Sequence, residues 1–189
     1  VGMAKLLDNI IDLMPAPLDH EKTGKNPKSG EEETRVCNEA GPFSALVFKT
    51  LADPFVGKLS LVKVTSGVLT GDMTLYSANA EKTEKPGNIY YMLGKKTNAI
   101  NKGVAGDIVA LAKLVSVSTG NTLCDQNKPI KYADIEFPAP CISMAVYAKK
   151  AGEEDKIFTG LNRLMEEDPT ITVTKDAETT ETLINGLGE

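Results

Sequence analysis

Apolar residues follow three successive rhythms along the chain. Met3, Leu6, Leu7, Ile10, Ile11 and Met14 recur at helical spacing, with Asp8 and Asp12 on the other side and Pro15 and Pro17 closing the run. An amphipathic helix is expected there. Over residues 19–40 the rhythm lapses into a polar, turn-rich stretch containing His20, Gly24, Pro27, Ser29 and Gly30, which reads as a linker or long exposed loop. Short β-rich runs then occupy residues 43–51, 58–69, 73–77, 88–93 and 107–117. They are separated by Asp53-Pro54, Thr70-Gly71-Asp72, Pro86-Gly87, Lys102-Gly103 and Ala105-Gly106. Closely spaced strands with no helical pattern between them predict a mainly β barrel or sandwich. Beyond Pro138 and Pro140 the rhythm changes again. A strand over 141–147 is followed by a helix that starts near Glu153 and stops at Asp168-Pro169, then by a hairpin of 170–174 with 181–184. Strand, helix, strand, strand is half of a βαββαβ unit.

Composition narrows the class. With 189 residues and 41% hydrophobic content, the chain can bury a core. No apolar run approaches the roughly 18–20 residues of a membrane span, and the N-terminus lacks the order of a signal peptide. A cytoplasmic protein with no membrane partner is expected. Cys37, Cys124 and Cys141 are odd in number and widely spaced, which suits buried, inert, reduced thiols. The chain opens on Val1 and closes on Leu187-Gly188-Glu189 directly after an apolar run, and so reads as a piece of a longer protein.

The net charge of -5 argues against a simple nucleic-acid binder, but the charge is unevenly placed. Residues 1–42 carry five Lys/Arg against eight Asp/Glu, residues 43–130 ten against six, and residues 131–189 six against twelve, giving -3, +4 and -6. A basic middle between acidic flanks fits a single module that meets a polyanion.

Catalytic chemistry is hard to find. A phosphate-binding loop needs glycine, four residues, then Gly-Lys-Ser/Thr, so that backbone amides cradle the phosphates and the hydroxyl binds magnesium. The run from Ala52 to Leu59 puts Ala52 in place of the first glycine and Leu59 in place of the hydroxyl, so Gly57-Lys58 is expected to start a strand. Asn101-Lys102-Gly103-Val104 and Asn127-Lys128-Pro129-Ile130 lack the aspartate that guanine recognition requires and read as turns. The sole histidine, His20, supports neither a metal cluster nor a catalytic triad. Glu153-Glu154 and Glu166-Glu167-Asp168 read as solvated helix faces. No catalytic residue and no metal site is assigned.

Several stretches resemble a known family. Gly41-Pro42-Phe43-Ser44-Ala45-Leu46-Val47-Phe48-Lys49, Asp53-Pro54-Phe55-Val56-Gly57-Lys58-Leu59, Val64-Thr65-Ser66-Gly67-Val68-Leu69, Ala105-Gly106-Asp107-Ile108 and Thr119-Gly120-Asn121-Thr122-Leu123-Cys124-Asp125 are similar to the second domain of elongation factor G. Ile135-Glu136-Phe137-Pro138-Ala139-Pro140, Leu164-Met165-Glu166-Glu167-Asp168-Pro169-Thr170 and Leu183-Ile184-Asn185-Gly186-Leu187-Gly188-Glu189 resemble the start of its third domain. The run from Leu6 to Leu18 resembles the last helix of its GTPase domain.

The resemblance implies a terminal GTPase-domain helix over 1–18, a linker over 19–42, a closed Greek-key-type translation-factor barrel (domain II) over 43–130, and a truncated ferredoxin-like domain III over 131–189. It also implies that the barrel touches the RNA of the small ribosomal subunit, and that the intact parent is a GTPase using GTP and magnesium for translocation or a related remodelling. The segment itself is then a non-catalytic fragment without a cofactor. Its partners are the ribosome and the GTPase and remaining domains of the parent, with self-association through exposed apolar surface as a further possibility. Lys58, Lys63, Lys95 and Lys96 are the candidate contacts to ribosomal RNA, as point charges for phosphates. Phe55 reads as a core plug, or as a residue that stacks on a base. After Met92 the family usually has His followed by small and polar residues including Arg, whereas this chain has Leu93-Gly94-Lys95-Lys96-Thr97-Asn98-Ala99. A ribosomal protection factor of the tetracycline-resistance type is the alternative parent.

Overall fold

The computed structural model describes residues 2–53, 56–94, 96–150 and 152–188. Phe55 and Lys95 lie outside the described residues. Helix α1 (Met3–Leu13) forms where the apolar spacing predicts it and ends as Met14 N–H donates to the Ile10 carbonyl at 3.0 Å. None of its residues is buried, and Ile11 and Leu13 are each 77% exposed.

The stretch expected as a linker is instead a hairpin, β1 (Lys22–Lys25) with β2 (Glu32–Arg35). Asn26 builds its turn: the side-chain carbonyl accepts the Lys28 amide at 3.0 Å, and the backbone carbonyl accepts Gly30 N–H at 2.8 Å. The barrel strands follow: β3 (Ser44–Asp53), β4 (Gly57–Ser66), β5 (Val68–Thr70), β6 (Leu75–Ser77), β7 (Lys82–Glu84), β8 (Ile89–Leu93), β9 (Lys96–Ile100), β10 (Lys102–Val104), β11 (Ile108–Ala112) and β12 (Thr122–Cys124). Next, β13 (Lys131–Tyr132) pairs with β1, completing a three-stranded sheet. Gly24 is required in it, because a Cβ there would stand 2.6 Å from the Lys131 carbonyl oxygen.

The barrel is a rolled antiparallel sheet of order β7-β6-β12-β3-β4-β11-β8-β9, joined by a short β5–β10 ladder. Its interior holds Phe43, Val47, Val62, Val64, Leu69, Leu75, Ile89, Val109, Leu111 and Leu123. They come from most strands at alternate positions, as a half-buried sheet requires. The strands β7 and β9 that end the order are short and carry Lys82 and Lys96, which discourages edge pairing. On the outer wall Tyr132, Ile130, Cys124 and Ala78 form a second core beneath the three-stranded sheet. Burial pushes the Cys124 thiol pKa up and keeps it neutral. The expectation of three buried thiols holds only here. Cys37 is half-buried, and Cys141 is exposed with its thiol 3.2 Å from the Leu187 carbonyl.

Two expected strands are cut short. The run over 58–69 breaks at Gly67, whose φ is +77°. The run over 107–117 stops at Ala112 because Lys113 takes φ +65° and the following loop is clamped by Glu84. The Glu84 carboxylate accepts the amides of Val115 at 2.7 Å and Ser116 at 2.6 Å, and the Ser116 hydroxyl as well. Partial burial raises the Glu84 pKa, but these hydrogen bonds outweigh it and leave the group below its ordinary 4.5. With the folded value depressed, the clamp contributes fully above pH 4.5 and is lost as the pH falls through the lower folded value. Chemical denaturation from pH 6 to pH 3 is therefore expected to show an acid-side loss of stability that Glu84→Gln reduces. An identical acid slope in the two proteins would discard the clamp.

The C-terminal unit is β14 (Ile142–Val146), α2 (Glu154–Glu167), β15 (Thr172–Lys175) and β16 (Thr182–Gly186), in sheet order β14-β16-β15. The chain is thus mainly β, a barrel followed by a ferredoxin-like half-domain. Glu154 and Asp155 open α2 at the positive end of its dipole. Leu161 is its buried residue, and Phe158 is 56% exposed.

Candidate nucleic-acid interface

The three candidate lysines within the described residues do not form one patch. Lys63 stands on the outer face of β4, opposite Leu46 of β3 and Ile108 of β11. Lys96 begins β9, opposite Leu93 of β8. Following the registers from β4 through β11 and β8 to β9 brings Lys96 to the same end of the sheet as Lys63, but level with Val64 rather than Lys63 and so on the opposite face of the pleat. Three ladder steps, roughly 14 Å, separate them. Lys58 lies near the other end of β4, roughly 17 Å along the strand from Lys63, and its odd spacing puts it on the opposite face of the pleat from Lys63.

Lys63 borders a cleft of about 380 Å³ between the barrel wall and the Pro15–Pro17 segment, which Lys22, His20, Cys37 and Thr65 also line. The three-stranded sheet holds Lys22 there, with its ammonium 5.8 Å from the centre of the Tyr132 ring. The Tyr132 hydroxyl lies 2.7 Å from Ser44 Oγ and 3.0 Å from Thr65 Oγ1. Arg35, which the sequence did not mark, is buried beside this sheet. It donates to Glu33 at 2.7 Å and to the Lys128 carbonyl at 3.2 Å. Its neighbour Glu33 has a lowered pKa, through hydrogen bonds first from Asn26 and then from Arg35.

Lys58 faces inward to its own chain. Its ammonium lies 4.0 Å from the Glu166 carboxylate at the end of α2. Beside it, Ala52 N–H donates to Glu167 at 2.5 Å. Glu166 and Glu167 were expected on a solvated face. Glu166 is exposed as expected, but the last turn of α2 packs against the ends of β3 and β4, so that both side chains also reach the barrel. No cluster of His, Cys, Asp or Glu suited to a metal occurs among the described residues. Gly57 opens β4, as the sequence predicts, and Lys58 is turned toward a carboxylate.

Comparison with known proteins decides the family. Residues 42–126 match the model of elongation factor G domain 2, and residues 137–189 match that of elongation factor G, domain III. Between them they take in most of the chain. A crystal structure of a protein from Thermus thermophilus superposes over 100% of the chain, with a TM-score of 0.75 and 26% identity.

The chain belongs to the elongation factor G-like translational GTPases. It spans 26% of the Thermus chain. The matched stretches are domains of a GTP- and magnesium-dependent translation-factor family, and they account for the two folded units found here, the barrel and the β14–α2–β15–β16 half-domain. No helix among the described residues of this elongation factor G-like chain is long and apolar enough to cross a membrane.

Proposed function

We propose that this chain is a ribosome-contacting part of a cytoplasmic elongation factor G-like GTPase, in which the barrel rests on small-subunit RNA. The whole protein couples GTP hydrolysis, with magnesium, to translocation or a related remodelling. The chain itself is non-catalytic. Its parts are a terminal GTPase-domain helix over 1–18, whose apolar face packs on that domain, a segment over 19–42 that carries the β1–β2 hairpin, domain II over 43–130 and the start of domain III over 131–189. The observation that carries the proposal is the charge of +4 on this module between acidic flanks, with Lys63 and Lys96 both exposed near one end of its sheet, one on each face. Phosphate contacts by lysines release counterions, so binding must weaken as salt rises.

Small-subunit particles titrated with the Lys63→Glu, Lys96→Glu double variant are expected to bind about tenfold more weakly than with the unaltered chain. The salt slope should also be flatter by about one for each cation lost. Equal affinity and slope in the two proteins would remove these residues from the interface.

A further inference from the structure

The end of α2 breaks a rule of helix electrostatics. Glu166, Glu167 and the capping Asp168 follow one another at the negative end of the dipole, and the last turn has no basic residue to offset them. Asp168 is engaged locally, accepting the Thr170 amide at 2.9 Å and its hydroxyl at 2.6 Å. The other two carboxylates reach off the helix to the barrel. Glu167 takes the Ala52 amide, and Glu166 faces Lys58. Arg163, one turn earlier, lines the same cleft of about 360 Å³.

A backbone amide, a lysine and an arginine around an anion are the donors that proteins use to hold phosphate oxygens. Here two carboxylates of the same chain occupy that setting. The two sides also carry opposite net charge, +4 on residues 43–130 and -6 on residues 131–189.

We propose that the contact between α2 and the ends of β3 and β4 is a reversible clasp, in which Glu166 and Glu167 cover Lys58 until an RNA phosphodiester displaces them. This rests on the reading of the barrel as an RNA-contacting module. It separates the lysines by role: Lys63 and Lys96 are open to a first encounter, and Lys58 becomes available once the clasp opens. Both partners of the clasp are charge-assisted and sit at the protein surface, so moderate salt and a competing polyanion weaken it.

The test is the Glu166→Gln, Glu167→Gln double variant of the full chain, with Glu154→Gln, Glu178→Gln as a control that removes the same charge elsewhere. Small-subunit particles are the probe. The clasp variant is expected to bind three- to tenfold more tightly at low salt, with a salt slope steeper by about one. The control should gain less than twofold, and adding Lys58→Gln should cancel the gain. The Ala52 amide resonance should shift in the clasp variant alone. If clasp variant and control gain equally, or the Ala52 resonance is unmoved, the clasp is wrong. If Lys63→Glu weakens binding but the clasp variant binds like the unaltered chain, the clasp falls and the barrel reading stands. Absence of salt-dependent binding in every form defeats both.

Discussion

Replacing Tyr132 with alanine is expected to destabilise the chain by about 3–5 kcal/mol, in the range of large aromatic truncations in a core. Tyr132 is 1% exposed and packs with Ile130, Cys124 and Ala78. Its backbone amide donates to Thr122 Oγ1 at 3.0 Å, so the residue joins the three-stranded sheet to β12 as well as to β3 and β4. Removing the ring opens a cavity that the rigid barrel wall cannot fill, and it takes away the surface over which Lys22 lies. Tyr132→Phe separates the contributions. It deletes the hydroxyl alone, and Ser44 and Thr65 retain each other through the Thr65 hydroxyl bond to the Ser44 carbonyl at 3.0 Å, so about 1 kcal/mol is expected. Denaturant titrations of the two variants measure both figures. Amide exchange in β1 and β2 should quicken more in the alanine variant than in the phenylalanine one. Equal stability of the two variants would mean that the ring is not what fastens the sheet.

The same sheet shows where sequence reading runs out. The pattern of β3 and β4 is legible because the buried Val47, Val62 and Val64 alternate with half-buried or exposed positions. The helix α2 is legible because both ends are chemically marked, by Glu154 and Asp155 at the start and by Asp168-Pro169 at the stop. The strands β1 and β2 have no such signal. Lys22-Thr23-Gly24-Lys25 and Glu32-Glu33-Thr34-Arg35 are polar on both faces, and the strand that anchors them, β13, enters the chain after the whole barrel. What makes them strands is tertiary: a glycine against the Lys131 carbonyl, and a tyrosine filling the space beneath.

The candidate site was legible to a similar degree. Charge segmentation singles out the basic module, and lysines at strand ends are visible in the sequence, but their faces depend on register. Lys58 and Lys63 look equivalent in a list of cations, yet one meets α2 and the other remains exposed. The bond from Ala52 to Glu167 spans 115 residues, beyond the reach of any local pattern. A signal did exist in the three consecutive carboxylates at a helix C-terminus, a placement that needs donors from elsewhere.

Gly67→Ala is the second substitution expected to be severe, at about 3 kcal/mol or more, because strain at a special backbone position is joined by a clash that nothing flexible can relieve. Gly67 has φ +77°, which costs an alanine about 1–2 kcal/mol by itself. Its added Cβ would stand 2.7 Å from Phe43 Cα and 2.8 Å from Phe43 N, both backbone atoms. The position is held from both sides, since Gly67 N–H donates to the Asn38 carbonyl at 2.8 Å and Ala105 N–H donates to the Gly67 carbonyl at 3.0 Å. Relief must therefore come from shifting Val68 and Leu69 relative to β10, and Leu69 is part of the barrel core. Gly120 supplies the control, with φ +93° and open space around its Cβ direction, so Gly120→Ala should cost only the conformational part, about 1–2 kcal/mol. Urea titrations of the two variants test the difference. Similar losses at both positions would show that the chain around Phe43 yields more readily than the packing implies.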